Sequence, residues 1–187
     1  MIISRNTQSG RSMVELMGYM AVVITVVAAV GNMVANAFDE YKYSKAYTQL
    51  NDLVNSFVRA SAIDDGYADV VDNKEELNLI PSSYKNVDGH YYHIFGGEMN
   101  VDGTEQLTIT YDNLSKKQCV ELALKDWENN RNVDLYAIII NDTSWYWPVY
   151  TSNVENSLPV KRSSVAGTGE NNGQCRGDNN TIKWIFN

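Results

Sequence analysis

Glu15 is the residue whose placement asks for chemistry. It stands directly before 23 residues without a charge, Leu16–Phe38, with Met13 and Val14 ahead of it. A helix of about 20 apolar residues crosses a bilayer, so Glu15 falls at or inside the hydrocarbon edge. A carboxylate there is costly unless it is paired, and it is usually functional. Arg11 lies one helical turn earlier, at the spacing that lets it offer Glu15 a positive charge. The plainer alternative is an acid snorkelling at the interface, which acids do less well than Lys or Arg.

Other residues nominate themselves less strongly. Cys119 and Cys175 are either a bridge or two unrelated buried thiols; export to an oxidising compartment favours the bridge. His90 and His93 enclose two tyrosines, but positions three apart in a strand point to opposite faces, and no third ligand is near. They read as surface histidines, and no metal or cofactor is expected. Arg176-Gly177-Asp178 is a tripeptide that some animal cell-surface receptors recognise, and three residues match easily by chance. Asn113, Asn141 and Asn179 each open an Asn-x-Ser/Thr triplet. Trp145, Tyr146, Trp147 and Tyr150 suit a sugar, a neighbouring subunit or simply sheet packing. No Gly-x-Ser-x-Gly, Cys–His pair or paired acids rise above chance, so no enzyme is expected and no catalytic residue is nominated.

Composition sets the frame for these residues. The chain has 187 residues, 44% hydrophobic and 11% aromatic, enough for one domain with an appendage. The net charge of −8 argues against nucleic acid as a primary ligand, since phosphate binding needs a basic face. Two cysteines exclude a cysteine-dense mini-protein and a four-cysteine zinc site.

The elements that position the residues follow. Arg5 and Arg11 precede the apolar run and Asp39 and Glu40 follow it, which leaves the N-terminus cytoplasmic and sends later residues across the membrane. After Phe38 the pattern becomes amphipathic: Tyr43, Ala46, Tyr47, Leu50, Leu53, Val54, Phe57 and Val58 recur at steps of three and four. One helix over Ser12–Ala62 would be roughly 75 Å long; two helices meeting near Gly31 are the alternative. Residues 64–90 read as a loop with a helical turn capped by Asn73 and stopped by Pro81. Strands are expected at Tyr91–Phe95, Met99–Val101 and Leu107–Tyr111, with turns at Gly96-Gly97 and Asp102-Gly103. Ser115 and Gln118 form a capping box for a helix through Trp127. Leu135–Ile140 reads as a central strand, Trp145–Tyr150 as an edge, residues 151–180 as a surface excursion and Thr181–Phe186 as a last strand.

Gly10-Arg11-Ser12-Met13-Val14-Glu15-Leu16-Met17 resembles the processing signal of type IV prepilins. Leu114–Cys119 at a helix start, with Gln174–Gly177 before a final strand, resembles the cysteine-bounded region of type IVb pilins. Two positions depart from the family pattern: Arg11 replaces the usual apolar first residue, and the proline near the middle of the apolar helix is absent. The resemblance implies an α+β fold, a long N-terminal helix packed on an antiparallel sheet with a disulfide-bounded C-terminal region. It implies a leader over residues 1–10 and a helix over 11–62, transmembrane over 16–38 and amphipathic over 39–62. A globular head follows over residues 63–187. Gly10 and Arg11 would flank the cut made by a prepilin peptidase, Arg11 would be N-methylated, and Glu15 would be the fifth mature residue, acting in assembly. The implied partners are other copies and other pilins in a helical filament, the peptidase, an inner-membrane assembly platform and the inner membrane. The precursor would sit in a bacterial inner membrane with its head in the periplasm, and the assembled form would be a pilus or a periplasmic pseudopilus.

The rival reading is an exported periplasmic binding protein or enzyme. Ala35-Asn36-Ala37 is a small-residue pattern after an apolar run, so a signal peptide cleaved after Ala37 would leave Phe38 first. Glu15 has no purpose in such a disposable segment.

Overall fold

The computed structural model describes residues 9–62, 66–125, 134–146, 157–167 and 173–187. The chain divides into two compact units, Met1–Tyr41 and Lys42–Asn187. Helix α1, Ser9–Ser61, belongs to both. Its bounds extend the expected helix by three residues at the start and end it one residue earlier.

In the first unit, every residue from 13 to 38 is exposed. The helix continues unbroken through Gly31 and Asn32, because no proline removes a backbone donor and a lone glycine costs only about 1 kcal/mol. It is long and apolar enough to cross a membrane. As a single apolar N-terminal helix it fits a single-pass membrane anchor.

In the second unit, α1 is half-buried. Ala46, Gln49, Leu50, Leu53, Val54 and Phe57 are buried, while Lys42, Thr48, Asp52 and Arg59 are exposed. The stripe follows the 3.6-residue period of a helix that covers a core on one side.

That core lies against one sheet of seven antiparallel strands: β1 Lys85–Val87, β2 His90–Tyr92, β3 Glu98–Gly103, β4 Leu107–Leu114, β5 Leu135–Ile140, β6 Thr143–Tyr146 and β7 Asn180–Phe186. Their order across the sheet is β1-β2-β3-β4-β7-β5-β6. The C-terminal strand β7 therefore enters between β4 and β5. Register aligns two buried rows across it. One row is Val101, Ile109, Trp184, Ile138 and Trp145; the other is Met99, Tyr111, Ile182 and Ile140. Adjacent members of a row sit about 5 Å apart, close enough for cross-strand packing.

Among the described residues the unit also holds three short helices: α2 Ala68–Asp72, α3 Lys116–Ala123 and α4 Arg162–Ala166. The capping box of α3 is formed as expected, with the Gln118 backbone N–H donating to Ser115 Oγ and the Ser115 backbone N–H donating to Gln118 Oε1. This helix ends at Ala123, and Trp127 lies outside the described residues.

Several expectations are corrected. The helical turn expected after Asn73 is present, since the Asn73 carbonyl accepts from the Leu77 N–H at 3.0 Å, but the Asn73 side chain does not cap it; Asn73 closes α2, where its backbone N–H and Nδ2 both donate to the Asp69 carbonyl. The β3–β4 turn lies at residues 104–106, and Gly103 is still paired, with Leu107. Strand β1 was not expected, because Lys-Asn-Val is exposed along its length and carries no alternation. Within residues 151–180, Leu158, Val160, Val165 and Cys175 are buried. The excursion therefore helps close the core, and α4 is part of it. Strand β6 is the edge strand expected for the Trp145 segment, but Trp147 and Tyr150 lie outside the described residues.

Candidate functional site

The first candidate is the start of α1. Gly10 and Arg11 fall in its first turn, and Glu15 lies one turn beyond Arg11. Glu15 is exposed, as are Met13, Val14, Leu16 and Met17 around it. The side chain of Arg11 lies outside the described residues. The backbone therefore places Arg11 and Glu15 at i and i+4, the spacing at which side chains on one helix face are neighbours. An exposed apolar helix carrying one acid at its start must be covered by lipid or by other helices.

The second candidate is the disulfide-bounded region. Cys119 on α3 and Cys175 before β7 are bonded, with Cα atoms 5.8 Å apart. Asn180, fully buried at the start of β7, holds the segment between. Its Nδ2 donates to the Leu114 carbonyl at 2.9 Å, and its Oδ1 accepts from the Arg176 backbone N–H at 2.6 Å. Asn141 closes the network from the β5–β6 turn. Its Nδ2 donates to the Gln174 carbonyl at 2.7 Å, and its Oδ1 accepts from the Thr181 N–H at 3.0 Å. A buried amide with all its partners stiffens the loop it holds.

Arg176, Gly177 and Asp178 are exposed on that loop, and Gly177 has a φ of +57°. Arg176 Nε donates back to the Gly173 carbonyl at 3.0 Å, so the guanidinium is tied to its own turn. Of the three Asn-x-Ser/Thr triplets, Asn113 and Asn179 are exposed, whereas the Asn141 amide is occupied by its hydrogen bonds.

The two histidines diverge as their spacing implied, but they are not both surface residues. His90 is exposed and its Nδ1 lies 2.7 Å from Glu98 Oε1. His93 is buried, because its ring stacks on Tyr111 with centroids 4.5 Å apart. Its Nδ1 accepts from the Phe95 N–H at 3.2 Å, which leaves Nε2 as the donor to the Asp112 carbonyl at 3.0 Å. Burial pushes its pKa below the usual histidine value. Among the described residues no cluster of His, Cys, Asp and Glu is arranged to hold a metal. Trp145 is a core residue, and Tyr146 meets Tyr136 edge to face.

Sequence reasoning missed Gln49, which lies in the apolar stripe of α1. Its Nε2 donates to the Ser83 carbonyl, and its Oε1 accepts from the Ile94 N–H at 3.3 Å. The signal was present: a polar residue between Ala46 and Leu50 on a buried face needs partners. Tyr47 was expected as an apolar contact only, yet its hydroxyl donates to the Glu121 carbonyl on α3.

No curated protein matches the chain. The PilS N terminal family matches over residues 40–187, which takes in the amphipathic half of α1, the whole sheet and the disulfide. The chain therefore belongs to the PilS N-terminal family, in agreement with a type IV pilin-like protein.

Proposed function

We propose that the protein is a structural subunit of a type IV pilus or related filament, not an enzyme. One observation carries this. A head that matches a pilin-related family is built on a helix whose other half, residues 13–38, is uniformly exposed and, apart from Glu15, uncharged. Such a surface is satisfied first by lipid, which anchors the precursor in a bacterial inner membrane with its head in the periplasm. It is satisfied later by the same segment of neighbouring subunits. A prepilin peptidase cuts between Gly10 and Arg11, Arg11 is methylated, and an inner-membrane platform adds the subunit to the filament. The contact between copies is heterologous and does not close, so it generates a helix.

Cleavage after Ala37 would cut inside α1, whose helical bonding continues on both sides. This favours the pilin reading over an exported soluble protein. N-terminal sequencing of the mature protein tests it: Arg11 is expected as the first residue, and Phe38 would overturn the proposal. Replacing Gly10 with Leu is expected to leave the precursor uncut and to stop assembly.

A further inference from the structure

The head carries opposite charges at its two ends. One end is formed by α2, the turns after it and the β3–β4 turn. Asp69, Asp72, Glu75, Glu76, Asp102 and Glu105 are exposed there; the described cations beside them are the half-buried Lys74 and the exposed Arg59, which lines a cleft with Asn78, Leu79 and Pro81. Asp72, Asp102 and Glu105 line one cleft of about 540 Å³ between α2 and the turn. The other end is formed by α3 and α4, where Lys116, Lys117, Lys125, Lys161 and Arg162 are exposed. Glu121 is the acid described among them, and it pairs with Arg162 at 3.0 Å.

Two rulers separate these ends. Lys117 and Lys125 lie over the rings of Tyr43 and Tyr47, at the start of the buried half of α1. The acidic end sits beside the end of the helix, where the Tyr67 N–H donates to the Thr104 carbonyl. From Tyr47 to Ser61 the helix rises about 21 Å. Strand β4 runs the opposite way, from Leu107 beside the acidic turn to Leu114 before α3, and spans about 23 Å. Acidic and basic surfaces are therefore displaced along the helix axis, on one rigid sheet.

We infer that the acidic α2–β3–β4 end of one head docks onto the basic α3–α4 end of a second copy of this chain, as a head-to-tail contact between subunits whose helices run parallel. This rests on the filament reading above. The occupant is another copy because the two surfaces are complementary to each other and lie on the same molecule at opposite ends of one axis. The chain as a whole carries a net charge of −8, so heads without this polarity would repel. Five exposed cations gathered on α3 and α4 offset that repulsion locally and give the contact a fixed polarity.

The test uses the full chain in a strain that assembles it, with sheared filaments and total processed subunit measured together. The triple variant Asp72→Lys, Asp102→Lys, Glu105→Lys is expected to lower filament yield about tenfold or more, since like charges at an interface are strongly unfavourable. The variant Lys116→Glu, Lys125→Glu, Lys161→Glu should do the same. Co-expressing the two variants should restore filaments, because each supplies the end the other lacks. Unchanged subunit level and the absence of reactive thiols show that the heads fold. As a second measurement, Glu105→Cys with Lys161→Cys in one chain should give a ladder of oxidised multimers. Normal filaments from each reversed variant, or no ladder from the cysteine pair, would overturn the inference and leave the filament reading standing. A wild-type chain that makes no filament at all would instead remove the filament reading itself.

Discussion

His93 shows how a buried side chain carries both packing and a pH dependence. Its ring is held between Tyr111 and Phe95, with centroids 4.5 Å and 5.9 Å away. The Phe95 N–H points at Nδ1, so a second proton on the ring would displace that bond. Burial, the largest influence, holds the pKa below 6.5, while the Asp112 carbonyl and carboxylate pull it upward. A histidine depressed in the fold binds more protons when unfolded, so its stabilisation is present above pH 6.5 and is lost as pH falls. His90 acts with the opposite sign. Its bond to Glu98 raises its pKa, so its contribution is present below pH 6.5 and fades as pH rises through the folded value. The full chain in detergent micelles is expected to lose stability between pH 6.5 and 5 in urea unfolding. His90→Asn should steepen that loss slightly, and His93→Phe should flatten it, the latter by at most about 1.4 kcal/mol per pH unit. An unchanged slope in His93→Phe would show that the buried ring does not titrate in this range. The histidine spacing made the divergence of the two rings legible. Burial of His93 was not, because it depends on Tyr111 two strands away in the sheet.

At the scale of elements, legibility followed the strength of local pattern. The extent of α1, the capping box of α3 and strand β5 were read within a few residues, because each has a period or a cap of its own. The pairing of Cys119 with Cys175 was favoured by compartment and resemblance, and it is formed. What escaped were elements that exist through tertiary contact. Strand β1 has three exposed residues and pairs only with β2. Helix α4 buries Val165, and its Ser164 and Val165 carbonyls receive the Gln174 and Cys175 N–H groups. The insertion of β7 between β4 and β5 has no local signature at all. The disulfide ties α3 to this same junction, which predicts its weight. It closes a loop with a sequence separation of 56. Removing such a crosslink costs about 4 kcal/mol in the chain-entropy model. For a unit of this size that corresponds to a melting point roughly 10–15 °C lower. The double variant Cys119→Ser, Cys175→Ser is the sample, with thermal unfolding followed by circular dichroism. A shift under about 3 °C would mean that the Asn141 and Asn180 network already holds the junction without the bond.

At the scale of the whole molecule, the question is what gives assembly its direction. Residues 13–38 are exposed to whatever surrounds them, and in lipid they are already in an apolar solvent. Moving them from lipid to neighbouring helices brings no hydrophobic gain, so association there depends on close packing and on polar pairing. Gly18, Ala21, Ala28 and Ala29 offer small surfaces for close approach. Glu15 offers the polar term, since an ion at the hydrocarbon edge gains more from a partner than the same ion in water. If Arg11 becomes the first residue, Glu15 has two cations within one helical turn, the guanidinium and the new amine. In a neighbouring subunit the same amine can reach it, which would fix the axial offset between copies. Glu15→Ala makes the segment more apolar, so insertion and cutting are expected to continue, with mature protein of normal size on a gel. Incorporation should fail or slow, so that processed monomer accumulates while sheared filaments fall at least tenfold, the change expected from losing about 1.4 kcal/mol per added subunit. Glu15→Asp keeps the charge on a shorter stem and should recover part of the yield. A merely structural effect would move processing and assembly together, and it would not distinguish Ala from Asp. Normal filament abundance in Glu15→Ala would mean that Glu15 is an interface acid without a partner, and that the axial offset is set by the heads alone.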